Sequence, residues 1–212
     1  MQMPLRARLL TELAGTFAFL SVIALSGPAG PLAPLAIGAA LMGMVYMGGH
    51  ISGAHYNPAV SFAMFLSREL GAADLAAYWA AQLAGATLAF AFGKLVSGHT
   101  PGIHPGAQAT VLQALSVEVA FTAALVLVIL NVAVSKATAG NQYYGLAIGF
   151  TIAALIFAGG PISGGAFNPA VGVGATLASA LFGGGGWSDL WIYLVGPMTG
   201  AGIGAGIYRA LG

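Results

Sequence analysis

Apolar residues fill this chain in long stretches, broken by short groups of Gly, Pro and the few charges it carries. About 20 residues of helix at 1.5 Å per residue match the roughly 30 Å hydrocarbon core of a bilayer. On that pattern six spans are predicted, Ala7 to Gly27, Pro31 to Gly53, Ala73 to Val96, Val111 to Val134, Tyr143 to Gly159 and Trp187 to Ala210. Two apolar pieces remain, Asn57 to Leu66 and Asn168 to Phe182. Pro58 to Phe65 would make only about 12 Å of helix, so neither piece is expected to cross, and both are predicted to re-enter.

Each short piece opens on Asn-Pro, within "SGAHYNPAVSF" and "SGGAFNPAVGV". Asparagine is a good N-cap, and proline fits the first helical position, where its missing N–H removes no hydrogen bond. Both pieces therefore read as half-helices whose N-termini are their buried ends. The Gly-rich approaches, Gly48 to Ala54 and Gly159 to Ala166, are predicted to be non-helical at membrane depth, which requires a polar cavity or protein around them.

The two halves repeat beyond this motif. Glu12-x-x-x-Thr16 corresponds to Glu118-x-x-x-Thr122, Asn57 to Asn168, and Gly85-Ala86 to Gly200-Ala201, at offsets of 106, 111 and 115 positions. Three spans per unit invert the second copy in the membrane, so residues about 1–100 and 108–212 are read as inverted repeats of one transmembrane domain covering 1–212. Spans three and six carry small residues at every fourth position, Ala81, Gly85, Ala89, Gly93 and Gly196, Gly200, Gly204, which allows close helix approach.

Charge is scarce, with six Lys or Arg, five Asp or Glu and a net charge of +1. That composition excludes a soluble domain and gives no footing for a nucleic-acid partner. With the N-terminus inside, Arg6, Arg8, Arg68, Lys136 and Arg209 fall on the cytoplasmic side and only Lys94 near the outer face. Glu12 within the first apolar run, and the spans directly after it, favour a retained helix over a cleaved signal peptide. The absence of cysteine excludes disulfides and thiol chemistry. No nucleophile-base pair or metal cluster suits an intramembrane enzyme, and neither a cofactor nor a metal is expected.

Paired Asn-Pro-Ala motifs, each preceded by Ser-Gly, with E-x-x-x-T in spans one and four, resemble the aquaporin and aquaglyceroporin (major intrinsic protein) family over essentially the whole chain. The resemblance implies an all-α membrane protein, a right-handed bundle of six helices with two re-entrant half-helices, and a pore in each protomer of a homotetramer. It assigns Asn57, Pro58, Ala59, Asn168, Pro169 and Ala170 to the pore centre. There the facing N-termini, each worth about half a positive charge, would repel cations, and the asparagine amides would donate to a passing oxygen.

The family usually places an arginine directly after the second Asn-Pro-Ala, where this chain has Val171. Counting as the family does, the other constriction positions are Ile37, Ile156 and Gly165. Such a filter has no side-chain donor, although backbone carbonyls from Gly160 to Gly164 could offer acceptors. It is expected to pass small neutral solutes such as glycerol, urea, ammonia or metalloid hydroxides such as arsenite, with or without water. A water-selective pore is the alternative, and an ion-coupled transporter is a weaker one.

Glu12 and Glu118 are either proton relays or acceptors for the re-entrant loops. Symmetry and the resemblance favour the second, with His55 packing a loop or lining the pore. His50 is a weaker candidate, and His99 and His104 are expected to be solvated on an outer loop. Short loops without a targeting extension point to a multi-pass bacterial plasma membrane protein with both termini cytoplasmic. The expected partners are the lipid bilayer, small neutral solutes, water and other copies of the chain.

Overall fold

The computed structural model describes residues 3–100, 102–183 and 187–211. Among them six helices are long and apolar enough to cross a membrane. Five of these are α1 (Leu5–Leu25), α2 (Ala33–Ser52), α4 (Ala72–Ser97), α6 (Tyr144–Ser163) and α8 (Leu190–Ala210). The sixth is α5 (Val111–Ile129), prolonged by a π-helical turn over Leu130–Val134. The two short pieces form α3 (Pro58–Leu66) and α7 (Pro169–Phe182), each capped by its asparagine side chain and opened by proline.

The spanning helices differ from the sequence expectation chiefly at their ends. A 3-10 turn over Gly27–Leu32 precedes α2, so that helix starts at Ala33 and not at Pro31. The Gly-rich approaches are mostly helical, because α2 continues to Ser52 and α6 to Ser163. Each helix then stops at a left-handed glycine, Gly53 (φ 89°) or Gly164 (φ 92°), a conformation that glycine adopts without a Cβ clash. Only 53–56 and 164–167 therefore remain as connecting backbone at depth. The earlier glycines serve packing: a Cβ at Gly48 would collide with the Tyr56 hydroxyl, and one at Gly159 would lie 2.8 Å from Val117.

Helix pairing follows the stripes of small residues. α1 lies along α4 and α5 along α8, while α2 crosses α6. A Cβ on Gly85 would stand 2.6 Å from the Leu13 carbonyl oxygen, and one on Gly200 would strike the carbonyl of Val119. At the third crossing Gly38 and Gly149 face each other's carbonyls, a reciprocal contact between repeat-equivalent positions. The inverted repeat is thus visible in packing, with the same small residue enforcing the same approach in both halves.

Two predictions separate packing glycines from neutral ones. Gly85→Leu should lower stability by about 1–3 kcal/mol through overpacking at the α1–α4 contact, read as a lower unfolding temperature in detergent. Gly206→Leu on α8, where nothing lies within 4 Å of the new Cβ, should leave that temperature nearly unchanged.

Candidate functional site

Two buried carboxylates organise the site. Glu12 on α1 accepts hydrogen bonds from Ser52 Oγ (2.6 Å), His55 N (3.0 Å), Tyr56 N (2.8 Å) and Gln82 Nε2 (2.8 Å). Glu118 on α5 accepts from Ser163 Oγ (2.7 Å), Ala166 N (3.0 Å) and Phe167 N (2.7 Å). Both side chains are fully buried. They satisfy the amides that cannot join a helix, which would otherwise be unpaired in a medium without water.

The backbone between helix and half-helix follows the same unusual path in both halves. Positive φ recurs at Gly53, Ala54 and Tyr56, and at the equivalent Gly164, Gly165 and Phe167. For the non-glycine residues this conformation costs about 1–2 kcal/mol each. The carboxylate bonds hold it in place. Because a trans peptide points its C=O opposite to its N–H, the carbonyls of Ala54 and His55, and of Gly165 and Ala166, turn away from the glutamates. These four residues line a cavity, so the same loops can present a row of acceptors to it.

Asn57 and Asn168 join the two half-helices. Asn57 Nδ2 donates to the Phe167 carbonyl (2.9 Å), and Asn168 Nδ2 donates to the Tyr56 carbonyl (3.0 Å). Each Oδ1 accepts from the alanine of its own motif, Ala59 N or Ala170 N, at 2.9 Å. An amide nitrogen has two N–H groups, so each asparagine retains one for a ligand. Both side chains line the cavity, whereas Pro58, Ala59, Pro169 and Ala170 are buried behind them.

The cavity has a volume of about 620 Å³. Arg8, His50, Glu69 and residues of the connection from Ser135 to Asn141 line part of it. His55, Asn57, Asn168, Gly165 and Ile156 also line it. A Cβ on Gly165 would lie 3.6 Å from Ile156 Cγ2, so these two predicted constriction positions are neighbours. Ile37 (6% exposed) and Val171 (1% exposed) are buried and do not line this cavity. Of the five carbonyls considered as filter acceptors, Gly160 already accepts from Gly164 N (2.9 Å), Ile162 from Gly106 N (3.0 Å) and Ser163 from Tyr193 Oη (2.7 Å).

Several participants escaped the sequence reading. Tyr78 and Tyr193 donate to the Ser52 and Ser163 carbonyls at the ends of α2 and α6. They stand 115 positions apart, the offset of Gly85 and Gly200, so the repeat could have found them. Gln82 is an amide inside an apolar span, a signal of its own. Arg8, counted only as an orienting charge, is buried and pairs with Asp74 at 2.8 Å. His104 is exposed as expected, yet its Nδ1 lies 3.1 Å from Asp189 Oδ2. Among the described residues no group of three or more metal-ligating side chains occurs.

Six spans in two inverted halves, with opposed half-helices meeting at a cavity, define a multi-pass membrane protein of channel architecture. The model of the major intrinsic protein family matches residues 9–208, and the chain belongs to that family. It is 41% identical over 178 residues to Aquaporin NIP1-1 of Zea mays, covering 82% of this chain and 60% of the plant protein. To Probable aquaporin TIP3-2 of Oryza sativa subsp. japonica it is 38% identical over 172 residues, covering 80% and 63%. The chain thus spans about 60% of the length of these curated relatives. Among solved structures, the aquaglyceroporin from Plasmodium falciparum shares the fold, with a TM-score of 0.82 at 21% identity over 97% of this chain and 96% of that one. These relatives are aquaporins, which are channels and not enzymes.

The carboxylate geometry predicts the effect of neutralising it. In Glu118→Gln one side-chain oxygen becomes an NH2 group facing the Phe167 amide, leaving buried donors opposed. Loss of about 1–3 kcal/mol per unpaired group should appear as a lower unfolding temperature, and Glu12→Gln should behave likewise.

Proposed function

We propose that the chain forms a passive channel for small neutral solutes, of the class of glycerol, urea, ammonia or undissociated metalloid hydroxides such as arsenite, with water as a further permeant. The observation that carries this reading is the cavity lined by Asn57 and Asn168 together with the apolar pair Ile156 and Gly165. A permeant with both donors and acceptors can exchange its hydration for the asparagine amides and loop carbonyls. Ile156 and Gly165 of the cavity wall would then join Ile37 and Val171, which lie outside this cavity, in an outer constriction without a charge or a side-chain donor. Such a ring replaces little of the hydration of a water file, which favours solutes carrying some apolar surface.

A water-selective pore draws its support from the same donors and acceptors at the centre, and differs only in how the outer end treats larger solutes. Proton-coupled transport has less support. An ionised carboxylate offers about four lone-pair sites, and Glu12 already receives four donors. Assembly as a homotetramer follows from the family resemblance. Arg8 in the cavity wall, with Arg68 and Lys136 next in sequence to the lining residues Glu69 and Ser135, favours a cytoplasmic face there, with both chain termini on that side. The relatives quoted are plant proteins, so they lend no weight to a bacterial membrane over another.

Reconstituted vesicles and stopped-flow swelling test this reading. Glycerol, urea or arsenite should permeate well above the protein-free rate, without dependence on an ion gradient. High water flux with none of these solutes passing would instead establish the water-selective pore. Val171→Arg should reduce passage of the larger solutes by narrowing the outer end; unchanged flux would remove Val171 from the constriction.

A further inference from the structure

The first half carries a buried polar chain that the second half lacks. His55 Nδ1 lies 3.0 Å from Ser61 Oγ, which lies 2.8 Å from Gln82 Nε2, which in turn lies 2.8 Å from Glu12 Oε2. At the repeat-equivalent positions of His55, Ser61 and Gln82 stand Ala166, Gly172 and Pro197. The scaffold is duplicated, but this chain is not.

The direction of every hydrogen bond in it follows from its end. An ionised carboxylate only accepts, so Gln82 turns its nitrogen to Glu12. The same NH2 group reaches Ser61, and since it only donates, Ser61 Oγ accepts there. The serine proton is then free for its other polar neighbour, Nδ1 of His55, and finds an acceptor there when that nitrogen is the bare one of the ring. The opposite amide orientation is disfavoured although Gln82 Oε1 is left buried without a partner, because it would lose the Glu12 bond and turn an oxygen onto the carboxylate.

We propose that Gln82 and Ser61 are positioning residues that hold His55 as the Nε2–H tautomer, so that the imidazole presents a donor to the cavity beside Asn57. The ring lines the cavity and is braced by Tyr78, with ring centroids 5.2 Å apart. A Cβ on Gly53 would stand 3.0 Å from Nε2, and glycine leaves that space open. The row of side-chain donors is thereby extended on one side of the midpoint only, toward Arg8. A permeant arriving from that side meets an N–H before it meets the asparagines, and must offer an oxygen or nitrogen lone pair to it. The tautomer rests on the hydrogen-bond chain alone, whereas its role in selecting solutes rests on the channel reading above.

Solid-state NMR of the reconstituted protein with ¹⁵N-labelled histidine reads the tautomer directly. The chain has four histidines, and the His55 signals are identified by their loss in His55→Phe. The wild type should show a bare Nδ1 and a protonated Nε2 at His55; Ser61→Ala should show both tautomers, and Ser61→Thr should restore the first. A protonated Nδ1 in the wild type, or a spectrum unmoved by Ser61→Ala, overturns the proposal, and the wild-type spectrum decides even if that variant fails to assemble. In swelling assays Ser61→Ala should slow the main permeant by about two- to fivefold, the scale of one hydrogen bond, with recovery in Ser61→Thr. Equal flux despite a changed tautomer would overturn the role in selection. A wild type that passes no solute or water would refute the channel reading and leave the tautomer standing.

Discussion

Everything at the centre of this protein depends on two carboxylates accepting backbone amides where no water can. A half-helix that stops at mid-membrane leaves free N–H groups at its start and an irregular strand leading into it, each group worth several kcal/mol if unpaired in hydrocarbon. Glu12 and Glu118 take two such amides each, together with the serine that closes the preceding helix. The left-handed residues Ala54, Tyr56 and Phe167 persist because those bonds over-determine them. A charge that would be expensive alone becomes the acceptor that permits a broken helix at all.

That arrangement also assigns the polarity of the cavity wall. Amides directed at the glutamates require carbonyls directed the other way, and the asparagines spend one N–H on the opposite loop and keep one. Donors therefore sit at the midpoint and acceptors on the two approaches. The glycine contacts between α1 and α4, α5 and α8, and α2 and α6 bring the helices close enough for side chains of α1 and α5 to reach the loops at all. Packing and polarity are one device, since a larger residue at Gly85 would move Glu12 with its helix.

The sequence announces the scaffold more readily than its connections. Apolar run length exposed the spans, and Asn-Pro exposed the half-helices, because each rests on a local rule of length or capping. The span expected to end at Gly53 matches α2 to one residue, whereas α6 runs four residues past the expected Gly159, and Gly48, Gly49, Gly159 and Gly160, read as part of non-helical approaches, lie inside the helices. In a tightly packed bundle they are contact residues, and a glycine stops a helix only where φ turns positive, at Gly53 and Gly164. Glu12, Glu118 and His55 stood out as polar residues in apolar surroundings. Ser52, Ser163, Tyr78 and Tyr193 did not, since a serine or tyrosine near a helix end is ordinary until its partner 26 to 45 positions away is seen.

The inverted repeat constrains the two halves unequally. Where packing or backbone pairing is at stake the equivalents agree: Gly38 with Gly149, Ser52 with Ser163, Asn57 with Asn168, Tyr78 with Tyr193. Val171 belongs to this conservative set, because its equivalent is Val60, equally buried in the first turn of its half-helix. The polar chain that ends at the cavity-lining His55 breaks the symmetry, with His55, Ser61 and Gln82 in one half and Ala166, Gly172 and Pro197 in the other. The half carrying Val171 thus retains the plain form of the repeat, and the chain's added hydrogen-bonding chemistry is concentrated in the other half. On the channel reading proposed above, an apolar end would act on a solute by size and dehydration and a polar end by matching lone pairs to donors, two different kinds of discrimination.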